Sequence, residues 1–123
     1  MILFVDTSAV VALLSAADEH HADAVAVWME IVAEGPRLVT TDLVLAEAVV
    51  VVRARAGFDL SVRAGERLLA DPFEIVWVDR ALLDDAWRLY RRYRDHDLSL
   101  CDSVSFAVMR RRKRSARAAW KRW

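Results

Sequence analysis

The chain is 123 residues long, 56% of them hydrophobic, and balances 18 Lys and Arg against 18 Asp and Glu. A chain of this size buries roughly two-thirds of its unfolded surface, enough for one core. A single cysteine, three glycines and two prolines exclude a disulfide scaffold, a collagen and a disordered chain. The zero net charge hides an asymmetry: residues 1–109 hold all 18 acids and only ten arginines, whereas residues 110–123 hold eight Lys and Arg and no acid.

Ile2–Val5 is apolar without alternation, the mark of a strand buried on both faces, and it ends at Asp6-Thr7-Ser8, residues suited to capping a helix. A short apolar helix follows over Ala9–Leu14. The next covers His20–Glu34, with Ala24, Val27, Trp28, Ile31 and Val32 at helical spacing and Gly35-Pro36 as its stop. Leu38-Val39 is a short strand, Thr40-Thr41-Asp42 opens a third helix to about Ala56, and Asp59–Ala70 is a fourth, closed by Asp71-Pro72. Phe73–Val78, β-branched and aromatic, is a third strand, and Leu82–Tyr93 is a fifth helix. A further helix starts near Leu100, where Ser99 and Asp102 have capping-box spacing.

Strands separated by helices pair in parallel, so the expectation is a layered α/β domain over residues 1–109. Residues 110–123 form a basic tail that either extends the last helix or is disordered. One more strand would complete the alternation, but Arg110-Arg111-Arg112-Lys113-Arg114 stands in its place, so the pattern lacks a last strand. No positively charged leader precedes the first strand. The longest apolar stretch, Leu43–Val52, has Glu47 inside it and falls short of the ~20 residues that span a bilayer. The expectation is a soluble, cytoplasmic protein with no membrane partner.

Three acids stand out. Open parallel sheets bind ligands beyond the carboxyl ends of their strands, and Asp6 directly follows the first strand, although helix capping explains its position equally well. Glu47 lies in a helix apolar all round, where an unpartnered carboxylate costs several kcal/mol; it needs a cation, a hydrogen-bonding neighbour, or a solvent stripe shared with Asp42 or Arg53. Asp102 lies in the first turn of the last helix, ordinary helix grammar, with Asp97 just before it. Converging carboxylates repel one another, and a divalent cation relieves the repulsion. All-oxygen donors select a hard ion, Mg²⁺ or Mn²⁺, and such an ion activates water and stabilises charge on a phosphate. His20-His21 reads as a solvated helix start and Cys101 as a packed small residue. Trp28, Trp77 and Trp87 read as core or dimer contacts.

Three segments together carry a resemblance: Phe4-Val5-Asp6-Thr7-Ser8-Ala9, Thr40-Thr41-Asp42-Leu43-Val44-Leu45-Ala46-Glu47, and residues 95–109 from Asp95-His96-Asp97 through Asp102-Ser103 to Met109. In this order and spacing the chain resembles the PIN-domain ribonucleases, in particular the VapC-like toxins of toxin–antitoxin pairs. The resemblance implies a three-layer α/β/α fold and a Mg²⁺-dependent endoribonuclease, with Mn²⁺ as a substitute. Asp6 and Asp102 would hold the metal, and Glu47 would be the remaining catalytic carboxylate. Thr7 or Ser8 would orient Asp6. It also implies an RNA substrate, a cognate antitoxin that blocks the site, and a homodimer with two sites along a groove, where Arg53, Arg55, Arg63 and Arg67 would supply positive charge. Trp120 and Trp123 among the basic residues of the tail suit stacking on bases. In the family a final strand and a fourth acid usually follow the third; here no acid follows Asp102, and Asp97 is the only nearby substitute. The alternative is therefore a catalytically impaired PIN-fold remnant that binds antitoxin or RNA without cleaving.

Overall fold

The computed structural model describes residues 2–115 and 120–122, and the side chains of 2–112. Its order is β1 (Ile2–Phe4), α1 (Thr7–Leu14), α2 (His21–Glu34), β2 (Arg37–Thr41), α3 (Asp42–Ala56), α4 (Phe58–Leu69), β3 (Phe73–Val76), α5 (Arg80–Arg92), α6 (Leu100–Ser115) and β4 (Trp120–Arg122). All strands pair in parallel in the order β3-β2-β1-β4, with Leu3 opposite Leu38 on one side and Lys121 on the other.

Alternation along β1 divides the interior. Ile2 and Phe4 join Val39, Leu82, Ala86, Val104 and Val108 beneath α5 and α6, whereas Leu3 and Val5 join Val10, Ile31, Leu38, Leu68 and Phe73 beneath α1, α2 and α4. Helices thus cover both faces of the sheet, which is the three-layer α/β/α arrangement. A parallel strand with both faces covered has no polar side, which is why Ile2–Val5 shows no alternation in sequence.

Local chemistry sets the boundaries. Asp6, Thr41 and Asp79 cap α1, α3 and α5, each accepting from a backbone N–H of the first turn. Gly35 ends α2 at φ 65, a left-handed conformation that a Cβ would strain. The third strand is shorter than its apolar run. Val78 N–H leaves the ladder to donate to Asp42 Oδ1 at 3.0 Å, tying the end of β3 to the start of α3.

The C-terminal segment departs most from expectation. The last helix continues through Met109 and the arginines to Ser115, and Trp120–Arg122 supplies the strand that the pattern lacked, beside β1. Lys121 and Arg122 mask it, because a short edge strand carrying charge has no apolar signature. Trp123, read as a base-stacking candidate, lies outside the described residues, as does the Trp120 side chain. Two of the described tryptophans are not core: Trp77 is 65% exposed and Trp87 48%, while Trp28 stacks on Phe73 with ring centroids 6.0 Å apart. Trp77 follows the last paired residue of β3, where the sheet no longer holds a side chain inward. Among the described residues no helix is long and apolar enough to cross a membrane.

Glu74 on β3 accepts from Arg112 on α6 and, at 2.8 Å, from Arg37 on β2. Arg112 and then Arg37 hold its carboxyl below the usual range near 4.5, against the opposing effect of burial. A carboxyl depressed in the folded state contributes stability above its unfolded value and loses it as pH falls through the folded one. Glu74→Gln should therefore cost about 0.2–1 kcal/mol at neutral pH, the range for a solvent-screened pair. In urea unfolding the gap from wild type should close as pH drops below about 4.5; a gap that stays constant with pH would contradict the clamp.

Candidate active site

A parallel sheet ordered β3-β2-β1-β4 runs outward from β1 to β3 and returns to place β4 on the other side of β1. Such a reversal opens a crevice beyond the carboxyl ends of the strands, where ligands bind in folds of this kind. Asp6 lies at the carboxyl end of β1, 6% exposed, and its Oδ1 accepts from Thr7 N–H at 2.7 Å. Helix capping and the strand-end position are thus both true of this residue.

Asp102 comes from the opposite face of the sheet. The Ser99 N–H donates to Asp102 Oδ2 at 3.1 Å and Asp102 N–H donates to Ser99 Oγ at 3.0 Å, a reciprocal capping box that fixes the first turn of α6. Glu47 projects from α3. Asp6, Glu47 and Asp102 line one cleft of about 430 Å³, together with Thr7, Asp18, His20 and Arg55.

Glu47 corrects the expectation that α3 is buried all round. Val44, Ala48 and Val52 form its buried stripe, and Ala46, Glu47 and Val50 face outward. The helix packs through one i, i+4, i+8 face, so a composition apolar on every side does not give burial on every side. Of the alternatives open for Glu47, the solvent stripe is the one found, with Arg53 exposed on it and Asp42 partly so; Asp42 accepts from Val78, and Arg53 lies over the Phe58 ring. Glu47 is close enough to Cys101 for its charge to raise the thiol.

Cys101 reports the charge in the cleft. Its thiol is pushed up to about 12, first by burial, then by Glu47, and further by Asp6 and Asp102. The helix N-terminus that would lower it is outweighed by burial and by three carboxylates, which agrees with the reading of a packed small residue.

The hydroxyl expected to orient Asp6 does not do so. The backbone N–H of Thr7 makes that contact, Ser8 is exposed, and buried Thr7 Oγ1 has no hydrogen-bond partner among the described residues. An orphaned buried hydroxyl costs free energy unless something completes it. Asp97 is exposed and does not line the cleft, so it supplies no fourth carboxylate there. Of the four arginines expected along a groove, Arg55 alone lines the cleft, paired with Asp18 at 3.4 Å. Arg67 lies over the Trp28 ring.

Sequence reasoning missed Asp18, Glu19 and His20 as cleft residues. His20 was expected to be a solvated helix start; it is exposed and borders the cleft, while His21 Nδ1 stands 2.8 Å from Ala12 O and fixes α2 against α1. The distance in sequence to Asp6 hid this convergence, because the turn after α1 creates it.

Among the described residues, no group of three or more His, Cys, Asp and Glu side chains is arranged to hold a metal ion. Mg²⁺ does not require one: it keeps several waters and is commonly held by one or two carboxylates. Two aspartates on a negative cleft, beside an uncompleted Thr7 hydroxyl, fit such an ion in donor type and in charge.

Comparison with known proteins agrees with this fold. A family model described as the PIN domain matches residues 3–116. The 23S rRNA-specific endonuclease VapC20 of Mycobacterium tuberculosis, strains CDC 1551 and H37Rv, is 32% identical over 110 residues, which is 89% of this chain and 82% of the relative. The crystal structure of M. tuberculosis VapC20, described as a sarcin-ricin loop cleaving toxin, matches with a TM-score of 0.81 and 30% identity, covering 90% of this chain and 83% of that one. VapBC2 from Rickettsia felis, crystallised bound to a DNA fragment from its promoter, shares the fold with a TM-score of 0.63 and 17% identity, covering 100% of this chain and 99% of that one.

Replacing Glu47 by Gln removes one of the charges that raise the Cys101 thiol. Iodoacetamide should then alkylate Cys101 severalfold faster at pH 9 in the folded variant than in folded wild type. Equal rates would contradict the influence of Glu47 on the thiol.

Proposed function

The chain belongs to the PIN-domain family, and from that premise we propose that it is a VapC-like endoribonuclease toxin acting with Mg²⁺ held by Asp6 and Asp102. The observation that carries this reading is the convergence of Asp6, Glu47 and Asp102, from both sides of the sheet, on one cleft beyond the carboxyl end of β1. When bound, the ion lowers the pKa of a water and offsets charge developing on the phosphate. Asp6 and Asp102 orient it from two helix N-termini. Glu47, on the solvent side, accepts a proton from the attacking water. Arg55 at the cleft edge draws the RNA phosphate towards the acids. The reaction is hydrolysis: the water oxygen bonds to phosphorus, and the bond from phosphorus to the leaving ribose oxygen breaks as that oxygen gains a proton. Mn²⁺ substitutes, since both ions accept the same oxygen donors.

The substrate proposed first is ribosomal RNA, because the relative that is 32% identical over 89% of this chain is named a 23S rRNA-specific endonuclease. The proposed partners are a cognate antitoxin that covers the cleft and a second copy of the chain. One observation favours the alternative, an impaired protein that binds without cutting: no acid follows Asp102, so the cleft has no fourth carboxylate from the C-terminal segment.

Cleavage of a labelled sarcin-ricin hairpin separates the two. The wild-type chain should cut in millimolar Mg²⁺ and stop in EDTA. Asp6→Asn should lower the rate at least about a hundredfold, on the scale of a lost electrostatic contact to the transition state. Cleavage that survives chelation would overturn the metal mechanism, and binding without cleavage would favour the impaired protein.

A further inference from the structure

The second basic feature of the molecule lies away from the acids. Between α5 and α6 is a cleft of about 310 Å³ whose walls carry Arg88, Arg92, Arg110 and Arg111 and one acid, Asp85. Four guanidinium groups against one carboxylate leave an excess of three positive charges. Asp85 takes Arg111 at 2.6 Å and Arg88 at 3.1 Å, fixing two guanidinium groups on the wall. Among the described residues Arg92 and Arg110 make no ion pair, and both are exposed. Like charges gathered on a concave wall raise the local potential, and the planar guanidinium fork matches phosphate oxygens in pairs. Asp85 thus organises the basic wall while neutralising only part of it.

Position joins this wall to the acid cleft. Asp102 and Arg110 lie on the same helix, and a rise of 1.5 Å per residue puts Arg110 about 12 Å along α6 from Asp102. An RNA strand entering the acid cleft has backbone phosphates at such distances from the scissile one.

We propose that the α5–α6 cleft is a second RNA-phosphate site, in which Arg92 and Arg110 grip a backbone phosphate remote from the cleaved bond. This rests on the endoribonuclease reading and adds the element that positions the substrate. It assigns to the basic end of α6 a recognition role separate from the carboxylate chemistry.

The test uses the full chain carrying Asp6→Asn, so that RNA is bound and not consumed, and a labelled sarcin-ricin hairpin read by fluorescence anisotropy over a salt series. Adding Arg92→Gln and Arg110→Gln should weaken binding about tenfold and flatten the salt dependence by about 0.7 in log–log slope, the release expected for one single-strand phosphate contact. Adding Arg91→Gln and Arg94→Gln, exposed arginines of the same region outside the cleft, should change affinity less than about twofold. Equal losses in the two pairs, or no loss in the first, would overturn the proposal. If wild type cleaves the hairpin while Arg92→Gln and Arg110→Gln bind it normally, the second site alone fails. If the folded chain neither cleaves nor binds RNA, the endoribonuclease reading fails and the site fails with it.

Discussion

Three carboxylates sharing one cleft repel each other, and the fold is arranged around that repulsion. Asp6 and Asp102 stand at the N-terminal ends of α1 and α6, where unsatisfied N–H groups carry partial positive charge and offset an acid. Each also accepts a backbone hydrogen bond at that helix end. Glu47 lies in the middle of α3, has no helix end to lean on, and is left in solvent. The two acids that can be drawn inward are thus those with a helix terminus behind them, which supports their assignment as the ion-holding pair. Cys101, among all three, remains a neutral thiol.

The same charges explain how the two halves of the chain fit. An acidic body and a basic end cancel on paper, but the cancellation is local. Arg112 reaches Glu74 on β3 and Arg111 reaches Asp85 on α5, so the basic end of α6 is pinned to the sheet on one side and to its neighbouring helix on the other. These pairs are partly solvated, and each is worth little alone. They tie the end of the helix that carries Asp102 to α5 and to β3. Of the described side chains at that end, Arg110 is left without an ion pair at the α5–α6 cleft, where a polyanion can meet it.

Much of this was legible in the sequence where the signal was local. The unalternating Ile2–Val5 run marked a strand covered on both faces, and the cap at Asp6 and the box between Ser99 and Asp102 marked where two helices begin. Those same caps located two of the five cleft acids, Asp6 and Asp102. The rest depended on contacts distant in sequence. The exposure of Glu47 follows from which face of α3 meets α1 and α4, which composition cannot show. Asp18, His20 and Arg55 reach the cleft only because the turn after α1 folds back over α3, held by the Asp18–Arg55 pair. β4 was hidden because its lysine and arginine resemble a solvated tail, although its backbone completes the reversal that makes β1 an inner strand.

Asp6 and Asp102 are proposed to hold a divalent cation jointly. Anomalous diffraction from crystals of the full chain soaked in millimolar Mn²⁺ measures this directly. One ordered ion in contact with carboxylate oxygens of both aspartates is expected, lost in the Asp6→Asn variant. A cleft free of ordered manganese at that concentration, or an ion held elsewhere in the molecule, would contradict it.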